Sequence, residues 1–144
     1  MKRICGIELK SSHAVLVVLA CHDADAGGKR AEFIELEPRK IELEDDESVT
    51  CVTEFHKAIT EFIQSQNIEK IVIKKRAKKG TMAGGAISFK MEAIIQLNGI
   101  ADVELITGQA IAAADKKEAF ERPAKLKKYQ EAAFLAASLS YRKL

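Results

Sequence analysis

The sequence predicts an α/β fold, a single domain over residues 1–144 with a five-stranded mixed sheet of order 3-2-1-4-5 flanked by helices. Three observations carry this. Two strand-like stretches, Arg3 to Leu9 and His13 to Cys21, open the chain, and the second is almost unbroken apolar sequence, as suits a strand covered on both faces. From Val52 onward, helical periodicity alternates with short β-branched runs, the pattern of parallel crossovers. Pro38 interrupts the third strand and assigns it to a sheet edge, because proline lacks the N–H that a ladder needs. Right-handed crossovers from strand one to four and from four to five then place strand one in the centre.

Taken in order, Lys10-Ser11-Ser12 makes a tight connection between strands one and two, and Asp23 to Arg30, with Gly27-Gly28, makes the next turn. Strand three spans Ala31 to Leu43. Its apolar positions change parity between Leu36 and Ile41, which predicts a bulge near Pro38. Glu44-Asp45-Asp46-Glu47 leads into a helix that Ser48 or Asp46 caps, with Val52, Phe55, Ile59, Phe62 and Ile63 on its apolar face and Asn67 as its stop. Strand four is Lys70 to Lys74. Ser88 is read as the cap of an apolar helix that ends at Asn98-Gly99. Strand five covers Ala101 to Thr107, and a short alanine-rich helix covers Gly108 to about Glu118. Pro123 suits a first helical position, so the last helix is expected from Ala124 to Arg142, with Ala132, Ala133, Ala136 and Ala137 permitting close approach to the sheet.

Length and composition bound the function. The 144 residues are 47% hydrophobic and 31% charged, an ordinary globular balance with enough chain for one sizeable core. The longest apolar run, Ala14 to Cys21, is too short to cross a bilayer, and the start of the chain lacks a signal-peptide pattern, so a cytoplasmic protein without membrane partners is expected. Cys5, Cys21 and Cys51 have no Cys-x-x-Cys spacing and read as reduced, mostly buried small hydrophobes. His13, His22 and His56 do not fall at metal-ligand spacings, and no metal site is assigned.

Net charge is only +2, yet the charges are segregated. Glu32 to Glu54 holds nine acids against Arg39 and Lys40, whereas Lys70 to Lys90 holds seven bases and no acid. Within that basic stretch a buried strand ends in Lys74, Lys75 and Arg76, followed by Lys78, Lys79, Gly84 and Gly85, then Ser88 and Lys90. Clustered cations, a glycine loop and a helix start each attract anions, so these nine residues are the candidate phosphate-binding set.

The element order, with Cys5-Gly6-Ile7-Glu8 in strand one, resembles the ribonuclease H-like superfamily and within it the Holliday-junction resolvase branch. Resolvases of that branch open with Gly-Ile-Asp-x-Gly, which Gly6-Ile7-Glu8-Leu9-Lys10 matches in its first part, with Glu for Asp and without the second glycine. Their strand four ends in a glutamate, where this chain has Lys74 and Lys75. Their last helix carries Asp-Ala-Ala-Asp-Ala-Leu, of which Gln130-Glu131-Ala132-Ala133-Phe134-Leu135 keeps the alanines and one acid. The stretches Cys5 to Lys10, Ile71 to Arg76 and Ser88-Phe89-Lys90 resemble more closely a small bacterial family defined as a domain of unknown function. That resemblance implies the ribonuclease H-like fold and no particular activity.

If the chain were a nuclease, the resemblance implies Glu8 and Glu131 as catalytic carboxylates with Mg²⁺ as cofactor. Two-metal hydrolysis needs three or four carboxylates around the ion pair. Here Lys74 or Lys75 puts an ammonium at the position a cation would take, a repulsion of several kcal/mol in a partly desolvated cleft. The leading expectation is therefore a nucleic-acid-binding module without cofactor and without the usual two-metal activity. The alternative is a module for a nucleotide or other phosphorylated small molecule held at Gly84-Gly85-x-x-Ser88, which lacks a P-loop signature. A third is a homo-oligomer in which the acidic segment Glu42 to Glu47 meets the basic loop of the next copy.

Overall fold

The structure is a computed structural model that describes residues 2–24, 28–77 and 85–142. The elements in chain order are β1 (Lys2–Lys10), β2 (His13–Ala24), β3 (Gly28–Ile34), β4 (Lys40–Glu42), α1 (Val49–Ser65) and β5 (Lys70–Lys74). They continue with α2 (Ala86–Gln96), β6 (Asp102–Ile106), α3 (Gly108–Glu118), a 3-10 turn at Lys128–Gln130, and α4 (Glu131–Arg142). The sheet runs β3-β2-β1-β5-β6, with β1 antiparallel to β2 and parallel to β5, so the expected central strand and strand order are found.

The expected third strand is two strands. β3 pairs with the far half of β2, β4 pairs with His13 to Val15, and the cis Glu37–Pro38 bond lies between them. Pro38 thus falls in a gap where no ladder asks for its N–H, and the parity change marks a break rather than a bulge. The sheet accordingly has six strands, with both pieces along one side of β2.

Strand alternation sorts the core into two layers. Cys5, Ile7 and Leu9 of β1 face α1 and α2 and pack with Phe55, Ile59, Ile63, Met91 and Ile95. Ile4, Val17, Leu19 and Val72 face α3 and α4 and pack with Ile111, Ala133, Ala136 and Ala137. Gly6 permits the second layer: a Cβ built on it would lie 1.9 Å from the carbonyl oxygen of Ala133 and 3.0 Å from the Cβ of Ala137. A bare backbone at that point lets α4 lie directly on the sheet.

Ser48 caps α1, its hydroxyl accepting the Cys51 N–H at 3.2 Å, and Asn67 takes the left-handed conformation (φ 53°) just beyond its end. Two helix starts differ from expectation. α2 is capped by Gly85 without a side-chain bond, and Ser88 lies inside the helix, buried. α4 begins at Glu131, not Ala124, because the amide of Gln130 is committed twice: its Oε1 accepts the Lys127 N–H at 3.0 Å and its Nε2 donates to the Leu16 carbonyl at 3.1 Å. Pro123 sits in the preceding turn, where its carbonyl accepts the Leu126 N–H.

Burial pushes the Cys5 thiol up to about 12 and the Cys21 thiol up to about 11, so both stay protonated and behave as core hydrophobes. Cys51 is half-buried and also free. No helix among the described residues is long and apolar enough to cross a membrane.

Candidate functional site

The parallel register of β1 and β5 puts Glu8 directly beside Lys74. Both side chains rise from the face that carries α4, with Lys74 Nζ 3.6 Å from Glu8 Oε2. Glu8 keeps only 15% of its side-chain exposure and Lys74 31%, so the pair is partly desolvated and each charge compensates the other.

Beyond this pair, at the carboxyl ends of β5 and β6, opens a cleft of about 530 Å³ lined by Lys74, Lys75, Arg76, Ala77, Thr107, Gly108 and Gln109. Sites in open α/β sheets form in this position, outside the carboxyl ends of parallel strands. The Lys75 N–H donates to the Ile106 carbonyl at 2.9 Å and fixes the start of the basic segment against β6. Thr107 caps α3, its hydroxyl accepting the Ala110 N–H at 3.0 Å, so the positive end of that helix opens into the cleft. Gly108 clears space for the Lys74 stem: a Cβ there would lie 3.2 Å from Lys74 Cε. The Nε of Arg76 is shielded from solvent and has no acceptor among the described residues, an uncommitted donor in a cationic cleft.

Lys74, Lys75 and Arg76 therefore come together, whereas the other described members of the candidate set, Gly85, Ser88 and Lys90, do not join them. Lys78, Lys79 and Gly84 lie outside the described residues. Gly85 is the exposed cap of α2, and Ser88 is buried on the opposite layer with its N–H donated to the Gly85 carbonyl at 3.1 Å. Lys90 is taken by Asp46, with Nζ 3.2 Å from its carboxylate and 2.7 Å from its carbonyl, so the acidic segment meets the basic stretch within one chain.

Glu131 is the first residue of α4, and its charge reaches Arg122. Arg122 makes a two-pronged bond to Asp115 at 2.7 and 2.8 Å, which, ahead of the Glu131 charge, raises the guanidinium further and holds the Asp115 carboxyl below its ordinary range. Among the described residues no three His, Cys, Asp or Glu side chains gather where a metal ion could be held. Hard divalent cations need several oxygen donors. At this site one carboxylate faces an ammonium, so the described residues do not fit the Mg²⁺ pair that the resemblance to resolvases implies.

Thr107, Gly108 and Gln109 entered the site without being singled out in the sequence. Their signal was topological: adjacent parallel strands bring the β5 and β6 exits together, and a Thr-Gly step after a strand is a helix start.

Among solved structures, RuvC of Thermus thermophilus is similar over 98% of this chain and 94% of its own, with a TM-score of 0.68 and 12% identity. T. thermophilus RuvC in complex with a Holliday-junction substrate is similar over 99% of this chain and 95% of its own, with a TM-score of 0.65 and 11% identity. The fold is ribonuclease H-like, as the sequence led us to expect. No curated protein matches the sequence. Residues 1–140 match the model of one family, and the chain belongs to it: the family described as protein of unknown function, DUF3010.

Proposed function

We propose that this protein is a ribonuclease H-like module that binds nucleic acid through its phosphate backbone, with ammonium and guanidinium groups where related nucleases place metal-holding carboxylates. The observation that carries the reading is the in-register placement of Lys74 beside Glu8, which neutralises the carboxylate and leaves Lys75 and Arg76 as surplus charge at the mouth of α3. Lysine and arginine neutralise phosphates without reading sequence, and a helix N-terminus orients one phosphate. The T. thermophilus complex with a junction substrate makes branched DNA a suitable first probe.

Filter binding at low salt tests this. Wild type retains DNA or RNA, and Lys75→Glu with Arg76→Glu loses it. Absence of wild-type binding, or equal binding by the variant, removes the proposal. A second reading is favoured by the cleft volume, which falls within the range of small-ligand sites. There the cleft holds a phosphorylated small molecule, and a thermal shift with a nucleotide detects it, since ligand at about 100 times its Kd adds about 2.7 kcal/mol.

A further inference from the structure

The strand registers put a second pair of cations level with the cleft, on the far side of the buried Val15. Lys40 pairs with Val15, Val15 with Glu8, Glu8 with Lys74, and Lys74 with Ile106, so one row crosses four strand boundaries on the α4 face of the sheet. Lys40 and Lys74 are three strand spacings apart, about 14 Å. Lys40 does not stand alone: its Nζ lies 4.3 Å from the centre of the Tyr129 ring, and Arg39 Nη1 donates to the Tyr129 hydroxyl at 3.4 Å. One aromatic side chain thus holds two cations side by side.

Neither Arg39 nor Lys40 forms a salt bridge among the described residues, and the neighbouring acids are largely committed elsewhere. Glu35 pairs with Lys125 at 3.3 Å, and Glu42 is held by Ser12 at 3.1 Å and His13 at 3.4 Å. Glu37 shares a groove with Arg39, Lys125 and Lys127, so cations outnumber acids there even with Glu35 included. Both cations come from the stretch of sequence that is otherwise the most acidic, and the fold places Lys40 in one register row with Lys74.

We infer that Arg39 and Lys40, positioned by Tyr129, form a second backbone-phosphate contact, and that the ligand is a nucleic-acid duplex bridging the two clusters from Lys40 to Arg76. The inference rests on the nucleic-acid reading above. A duplex advances about 3.4 Å per step along each strand, so a span of about 14 Å covers roughly four base pairs and exceeds what a mononucleotide can touch. A duplex suits the site better than a single strand, because Lys40 already covers one face of Tyr129 and the chain has no tryptophan for stacking.

The test is fluorescence anisotropy of a duplex of about 16 base pairs and of a 5′-phosphorylated dinucleotide, each titrated between about 50 and 200 mM salt. For Arg39→Gln with Lys40→Gln, duplex affinity falls about tenfold and the slope of log K against log salt becomes shallower by about 1.8, two lost phosphate contacts. Dinucleotide binding at the cleft stays unchanged, and Arg39→Lys with Lys40→Arg retains most of the wild-type slope. If the glutamine variant keeps the wild-type slope while Lys75→Glu with Arg76→Glu loses the duplex, the second contact is wrong and the cleft reading survives. If wild type holds the dinucleotide as tightly as the duplex, the extended footprint is wrong. If wild type binds neither, the cleft reading falls and this inference with it.

Discussion

Lys70 and Lys74 stand four residues apart on one strand and one face, yet they meet different surroundings. At the amino end of β5, Lys70 Nζ lies 3.0 Å from Glu104, which also accepts from Ser140 of α4 at 3.3 Å. There the charge is absorbed by a strand-to-strand and strand-to-helix network. At the carboxyl end, Lys74 has Glu8, and the chain immediately adds Lys75 and Arg76 beside the positive end of α3. Charge balance at one end and surplus at the other separates a structural lysine from a candidate binding lysine. Residue type alone does not.

The largest change comes from the frame that both ends share. In Gly6→Ala the new methyl cannot coexist with the Ala133 carbonyl, so α4 must shift or tilt, and the expected loss is about 3 kcal/mol, roughly 10 °C in Tm. Calorimetry showing a stability within error of wild type would contradict the packing described for α4.

Lys74→Met leaves Glu8 half-buried without its ammonium, at an expected cost of about 1 to 2 kcal/mol in urea unfolding. It also uncovers the Glu8 carboxylate beside Lys75 and Arg76, and so weakens nucleic-acid binding by charge repulsion. Lys70→Met leaves Glu104 more exposed and still bonded to Ser140, so its cost stays below about 1 kcal/mol and binding is unchanged. Equal effects of the two substitutions on nucleic-acid affinity would erase the distinction between the ends.

The smallest effect concerns Asp115. Its hydrogen bonds from Arg122, working against partial desolvation, hold its carboxyl below the unfolded value of about 4. A depressed folded value contributes stability that is complete above the unfolded pKa and disappears as pH falls through the folded one. Asp115→Asn should therefore lower Tm at neutral pH and leave a shallower acid limb, measured by thermal unfolding across the acid range.

Much of this architecture was legible in the residues. The Pro38 edge, the Asn67 stop and the Ser48 cap follow from local chemistry and strand order. What escaped was chemistry settled by distant partners. The start of α4 is fixed by a Gln130 bond to Leu16, more than a hundred residues away in sequence, which no local pattern around Pro123 announces. Lys90 belongs to the basic stretch in sequence, but in the fold its charge is taken by Asp46 of the loop before α1. Arg39 and Lys40 were hidden by an acidic neighbourhood in sequence that the fold pulls apart in space. Gly6 reads as a motif glycine, but its physical reason, the close seat of α4, appears only once the helix is in place.

Under the proposed function, protein cations at the β5 exit take the place of metal ions in greeting phosphate. The most direct measurement is duplex binding by wild type in excess chelator and again with Mg²⁺ present. Salt-sensitive binding in chelator, not strengthened by Mg²⁺, is the expected result. Binding that appears only with Mg²⁺, accompanied by strand cleavage that Glu8→Gln abolishes, would contradict it.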